Sequence, residues 1–419
     1  MLKRTLLNAL FGALCLSAGG AAHAETHLTM YYPIAVGGPL TQVMDGLIGE
    51  YRAAHSDVDI KAVYAGNYDQ TRTRAVSAAQ SGQGAQIAVL GALDTHDLID
   101  HKLITPMDTI AGVDKAWLAS FYPALLANSA IDGHQWGVPF QRSTIVMYYN
   151  KAMFREAGLD PDTPPKTWKA LVATAAKLTT PQHYGLMIPS TGYPYWMFQA
   201  LAIQNGASLV SADGLRTTFN SPAAVAALDY WVSLARDAHV SPPGMIDWST
   251  LREQFVQGKT AIMWHTTGNL SAVKAEAKFD FGVAMLPANR QPGSPTGGGN
   301  FYLFNGASAD EQRAALDFIH WMTAPEQAAR WSIATGYVGT SESAYRTPAL
   351  SQYGKSFPQA LVAHDQLQVA IPELSSHDSA RVREALNNAL QAALSGTQTP
   401  QAALDRAQAT AERLLSAYR

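Results

Sequence analysis

Apolar and polar positions alternate along the chain in blocks of two different periods. Leu28 to Ile34 is a compact apolar run rich in tyrosine, followed by Leu40, Val43, Met44, Leu47, Ile48 and Tyr51 at helical spacing. Val58 to Tyr64 reads as a second strand, Asp69 to Gln80 as a helix and Gln86 to Leu90 as a third strand. This β-α-β-α-β order predicts an α/β fold with a mostly parallel sheet. A β-branched and aromatic strand begins at Ile145, then a short helix stopped by Gly158, a proline-bounded turn, and a helix started by Thr167. A second α/β block has helices over 221–238, with Ser221 as N-cap and Pro222 in the first turn, and over 251–258. Its strands lie near 261–265 and 279–286. The stretch 289–299 is crowded with Gly and Pro and predicts a loop or crossover. From Asp310 onward the pattern is mainly helical, ending in an amphipathic helix from Pro400 to Tyr418.

The first 24 residues differ from the rest. Lys3 and Arg4 precede an apolar stretch from Leu6 to Ala18, and Ala22-His23-Ala24 matches a small-x-small cleavage site. The apolar stretch falls short of the roughly 20 residues that span a bilayer. It therefore reads as a signal peptide cut after Ala24, which sends the protein to the periplasm. Cys15, the one cysteine, lies inside it, with Leu14 where a lipid-attachment motif needs Gly or Ala. The mature chain from Glu25 is then free of thiols. Cleavage leaves 419 − 24 = 395 residues, too many for one compact core and suited to two lobes. Removing Lys3 and Arg4 from 30 basic residues leaves 28 against 33 acidic, without a basic run, which excludes nucleic acid as partner. No nucleophile elbow, Walker loop, dinucleotide fingerprint or His-Glu-x-x-His occurs, and the 12 histidines lack metal-ligand spacing. No catalytic activity, metal or cofactor is expected, although a distant carboxylate pair is open to any chain of this length.

Tyr148-Tyr149-Asn150-Lys151, Ala157-Gly158-Leu159 and Pro164-Pro165-Lys166-Thr167-Trp168 resemble, in order and spacing, the central signature of extracellular solute-binding proteins of ABC importers. The resemblance covers most of the mature chain and is nearest to the glycerol-3-phosphate-binding members. It implies a two-lobed, type II periplasmic-binding-protein fold, with residues 25–141 and 297–322 in one lobe and 142–296 and 323–419 in the other. Five short motifs carry implied ligand positions. Gly66-Asn67-Tyr68-Asp69-Gln70 points to Tyr68, and Pro139-Phe140-Gln141-Arg142-Ser143-Thr144 to Ser143. Thr266-Thr267-Gly268 points to Thr266, Gly297-Gly298-Gly299 to Gly298, and Thr335-Gly336-Tyr337 to Tyr337. Taken alone, Tyr68 is also compatible with a turn aromatic. The glycines suit either a flexible turn or a backbone that approaches a ligand.

The chain also departs from those relatives. Pro33-Ile34 stands where they carry Trp-His, Ala92 where they carry a ligand-contacting Glu, and Leu374-Ser375-Ser376 where they carry a phosphate-pairing Arg. Losing a carboxylate and a guanidinium should change the ligand. Arg142 is the new charge within a matched motif, able either to contact an anion or to form a surface or interlobe ion pair. Trp196, in the cluster Tyr193-Pro194-Tyr195-Trp196, is a candidate stacking residue, as are Trp264 and Tyr31-Tyr32. The expectation is a monomeric binding component of an ABC importer. It would carry a glycerol-3-phosphate-like organophosphate or glycerophosphodiester to the permease subunits, with a sugar or oligosaccharide, or a sensor without transport, as alternatives.

Overall fold

The computed structural model describes residues 25–82 and 84–419; the signal segment, with Cys15 and the cleavage site after Ala24, lies outside the described residues. The first block follows the predicted order: β1 (Thr26–Tyr32), α1 (Leu40–Ala54), β2 (Val58–Tyr64), α2 (Tyr68–Gln80) and β3 (Ile87–Gly91). β1 lies parallel between β2 and β3. Helix α1 buries Leu40, Met44, Leu47, Ile48 and Tyr51, the stripe marked by the helical spacing.

The signature strand β4 (Val138–Asn150) is 13 residues long and buried throughout, as a strand covered on both faces must be. Asn150 ends it and caps α3 (Lys151–Glu156), accepting the amides of Ala152 and Met153. Thr167 caps α4 (Trp168–Leu178), which leads to β5 (Tyr184–Met187) and the fully buried α5 (Pro194–Gln204). Ser221 caps α6 (Pro222–Arg236). Helix α7 (Trp248–Val256) starts three residues before the predicted one, because Asp247 accepts the amides of Ser249 and Thr250. β6 (Thr260–Thr266) and β7 (Phe281–Ala284) follow.

The predicted loop over 289–299 is instead half strand. β8 (Ser294–Phe304) runs antiparallel between β3 and β4, with Gly297 opposite Ser143 and Gly298 opposite Arg142. A bulge interrupts this register between Gly299 and Asn300. Glycine is needed here for packing. A Cβ on Gly297 would lie 2.4 Å from the Trp196 ring, and one on Gly298, whose φ is +93°, 1.9 Å from the Gln141 carbonyl oxygen. Among the described residues the sheet has ten strands, seven of them along the path β2-β1-β3-β8-β4-β6-β5 and three pairing off it, parallel toward both ends and antiparallel where β4 and β8 cross its middle.

Two large cores flank these crossing strands. One gathers Leu28, Leu47, Ile87, Phe140, Phe301 and Phe318; the other gathers Met147, Trp168, Phe198, Leu228, Leu386 and Leu404. β4 serves both, giving Val138 and Phe140 to the first and Ile145, Met147 and Tyr149 to the second. After α8 (Ala309–Met322), helix α9 (Pro325–Thr335) sends Trp331 into the first core, together with Tyr337. The last helices, α10 (Ser379–Leu394) and α11 (Pro400–Leu415), join the second. No helix of the described residues is long and apolar enough to cross a membrane.

Candidate functional site

Around one cavity meet the carboxyl end of β3, the middles of β4 and β8, the end of β6, the first turns of α2, α5 and α7, and the second turn of α10. Six aromatic residues line it: Tyr68, Tyr193, Tyr195, Trp196, Trp248 and Tyr337. Its volume is only about 40 Å³, so the walls stand close together.

Local devices set these walls. Asn67 and Gln70 form a reciprocal capping box at 3.0 and 2.9 Å, which holds Tyr68 and Asp69 in the first turn of α2. Gly66 feeds the box at φ +98°, and a Cβ there would strike the Gln70 amide oxygen at 2.1 Å. The Thr-Thr-Gly and Thr-Gly-Tyr motifs pack on each other. Gly336, left-handed at the end of α9, leaves no room for a Cβ beside the Thr267 carbonyl, and Gly268 lies beneath the Tyr337 ring. Thr266 is the cap of this turn, its hydroxyl accepting the Gly268 amide at 3.1 Å.

Of the seven residues singled out from the sequence, Tyr68, Ser143, Trp196, Thr266, Gly298 and Tyr337 line the cavity together. Trp196 gives its indole N–H to the Thr296 carbonyl at 2.9 Å. Arg142 does not reach the wall. Side chains alternate along a strand, so with Ser143 facing the cavity its neighbour points the other way. Arg142 is fully buried and donates to Thr296 Oγ1 at 3.1 Å and to Gly298 O and Asn300 Oδ1 at 3.3 Å. Among the described residues it is neither an anion contact on the wall nor half of a surface or interlobe ion pair. Burial depresses its pKa, and the nearby Glu373 charge opposes that. Trp264 is buried elsewhere, and Tyr31 and Tyr32 lie outside the lining.

The charged groups of the wall escaped the sequence reading. Ala92 is buried, and Asp94, two residues on, lines the cavity instead. Ser375 donates to the Leu93 carbonyl, and the guanidinium of the site comes from Arg383 on α10. One signal was available. Arg383 falls within the apolar stripe Val382, Leu386, Ala389 and Leu390, and a charge on a buried helix face needs a partner. Its partners are Asp69, which it touches directly, and Asp94 at 3.9 Å, and it lies 5.4 Å over the Tyr195 ring. Burial opposes its charge, but Tyr195, Asp94 and Asp69 keep its pKa raised.

Burial pushes Asp94 up to about 6, against the pull of Arg383 and Arg72, and pushes Glu373 up to about 7, against Arg142 and the Tyr195 hydroxyl. Glu373 Oε1 accepts from Tyr195 at 2.8 Å. Among the described residues its Oε2 has no hydrogen-bond partner, nor has Asp94 Oδ1, which stands 3.5 Å from Arg72 Nε and 3.9 Å from Arg383 Nη1. The wall thus offers two buried acceptors without a hydrogen bond among aromatic faces. With Asp69 it carries three carboxylates and one guanidinium.

Known proteins show the same architecture. The family model described as bacterial extracellular solute-binding protein matches residues 46–359. The chain is 28% identical to the sn-glycerol-3-phosphate-binding periplasmic protein UgpB of Yersinia enterocolitica, over 97% of this chain and 96% of that one. It is 29% identical to UgpB of Salmonella typhimurium with the same coverage. Among solved structures, UgpB from Mycobacterium tuberculosis in complex with glycerophosphocholine superposes with a TM-score of 0.82 at 24% identity, covering 93% and 98% of the two chains. The cyclic α-maltosyl-1,6-maltose binding protein from Arthrobacter globiformis gives 0.80 at 26% identity, covering 94% and 100%. The chain belongs to the bacterial extracellular solute-binding protein family, the solute-capturing components of ABC importers, and is not an enzyme.

Proposed function

We propose that the protein, exported to the periplasm with cleavage after Ala24 and working as a monomer, captures a small polyhydroxylated solute, a sugar or polyol, and delivers it to its permease. The observation that carries this reading is a pair of buried acceptors without a hydrogen bond among the described residues, Glu373 Oε2 and Asp94 Oδ1, the latter held only by long ion-pair contacts, among six aromatic residues. A buried acceptor without a partner costs roughly 1–3 kcal/mol, which a ligand hydroxyl would return on binding. The ring faces suit the C–H faces of a sugar. A cavity of about 40 Å³ holds little more than one water, so the walls must part to admit a solute. The hinge of that motion belongs to the same proposal. It lies in β4 and β8, between residues 25–141 with 297–322 and residues 142–296 with 323–419. Within 323–419 helix α9 is the exception: it would move with the first lobe, whose core holds Trp331 and Tyr337.

A second reading, a glycerol-3-phosphate-like ester or glycerophosphodiester, is favoured by Arg383 in the wall and by Tyr68, Ser143, Gly298 and Tyr337 at the implied ligand positions. The carboxylates of Asp69 and Asp94 weigh against it, joined by Glu373 as it ionises near pH 7, since an anionic ligand meets them before it meets a free cation. Calorimetry with neutral sugars and polyols on one side and glycerol-3-phosphate and glycerophosphocholine on the other separates the two. Binding of phosphate-bearing ligands alone would overturn the first reading. N-terminal sequencing of exported protein should start at Glu25.

A further inference from the structure

The cavity does not end at Trp248. A second, outer chamber of about 440 Å³ adjoins it, and Ala35, Val36, Asp69, Tyr193 and Trp248 line both. Trp248 forms the partition. Its indole N–H donates to the Ala35 carbonyl at 3.0 Å, and its ring packs 4.7 Å from Tyr193 and 4.1 Å from His265. The backbone is fitted to this ring: Gly192 has φ +72°, and a Cβ there would lie 2.8 Å from Trp248 Cβ.

The outer wall has the ingredients of a site. Tyr64, at the end of β2, is an aromatic ring left 50% exposed on the chamber's rim. Asp247 and Arg252 line the chamber as well. Arg252 pairs with Glu276 through Nη1, and its Nε and Nη2 have no partner among the described residues. Asp247 Oδ2 accepts from Thr191 at 2.9 Å. The inner cavity admits about one water, whereas the outer volume falls in the range of about 300–1,000 Å³ typical of small-molecule sites.

We propose that the outer chamber is a second subsite. It takes an uncharged, hydroxylated ring that extends past Trp248 from the solute held inside. Tyr64 is its stacking platform, and Asp247 and Arg252 are its hydrogen-bonding partners. An anionic extension fits less well, because the carboxylates of Asp69 and Asp247 face the chamber against one guanidinium. The inference rests on the polyhydroxylated-solute reading and narrows it to solutes of at least two rings.

Calorimetry on the full mature chain tests it, with neutral hexoses and their disaccharides as paired probes, glucose with maltose and mannose with mannobiose. A disaccharide is expected to bind at least tenfold tighter than its single ring. Tyr64→Ala should weaken the disaccharide roughly three- to tenfold and leave the single ring unchanged. Tyr64→Phe, which keeps the ring face, should restore most of the loss. A single ring binding as tightly as its disaccharide, or a disaccharide indifferent to Tyr64→Ala, overturns the subsite and leaves the inner-cavity reading standing. Binding of neither member of either pair overturns both.

Discussion

Glu373 ties the site to stability. With burial holding its pKa near 7, the folded protein keeps a proton that the unfolded chain releases near 4.5. Stability contributed by this group therefore falls as pH rises between those values and slightly beyond. Asp94 acts in the same sense from 3.8 to about 6. His96 and His265, held near 4 by burial, act oppositely, since the unfolded chain gains charge on them as pH drops below 6.5. Above about 6.5, of these four, Glu373 alone still responds strongly. Chemical denaturation without ligand should lose on the order of 1 kcal/mol between pH 6.5 and 8, and Glu373→Gln should remove that slope. A slope unchanged in the variant would show that Glu373 is not the group responsible. Arg142 makes a contrasting case. Arg142→Met should cost about 1–3 kcal/mol of stability, because it strands the buried partners on β8 and removes the positive charge near Glu373. Loss of affinity with stability untouched would instead put the guanidinium on the ligand.

At the scale of elements, the capping box and the glycine strand position what the cavity needs. Asn67→Ala removes the cap of α2 and should cost about 1 kcal/mol, and it should weaken solute binding through Tyr68 and Asp69 in that first turn. Gly298→Ala should be harsher, roughly 2–4 kcal/mol by denaturation, since the new methyl meets the Gln141 carbonyl at 1.9 Å in a left-handed backbone. A variant as stable as the parent would mean that β8 has another way through the sheet. This strand was the element least legible from its own residues. Pro292, Gly293, Pro295 and three glycines favour a loop locally, yet β3 and β4 supply antiparallel partners that use its backbone groups. Helices α1, α4 and α6 were legible because spacing and caps act within a few residues.

On the scale of the whole molecule, the contacts that join the groups built on the two cores across the cavity include Arg383 with Asp69 and Asp94, and Trp248 with the Ala35 carbonyl. Such bridges favour the closed arrangement before solute arrives. Small-angle scattering of Arg383→Met should show a larger radius of gyration than the parent without ligand, and saturating solute should narrow the difference. Equal radii would mean that packing alone holds the cleft. A solute at 100 times its Kd should add about 2.7 kcal/mol of stability, which makes thermal shift a direct route to identifying it.

The sequence by itself determined the alternation of strands and helices, the signature from Tyr148 to Trp168, and six residues that meet in one cavity. Periodicity, caps and motif words are local, or carried by resemblance, and need no knowledge of what lies across the cleft. Only the tertiary structure decided that Arg142 turns away from the wall, that Arg383, Asp94 and Glu373 supply its charges, and that a glycine-rich stretch is a central strand. Those outcomes depend on which face of a strand meets which neighbour, and on charges brought together from positions more than 270 residues apart.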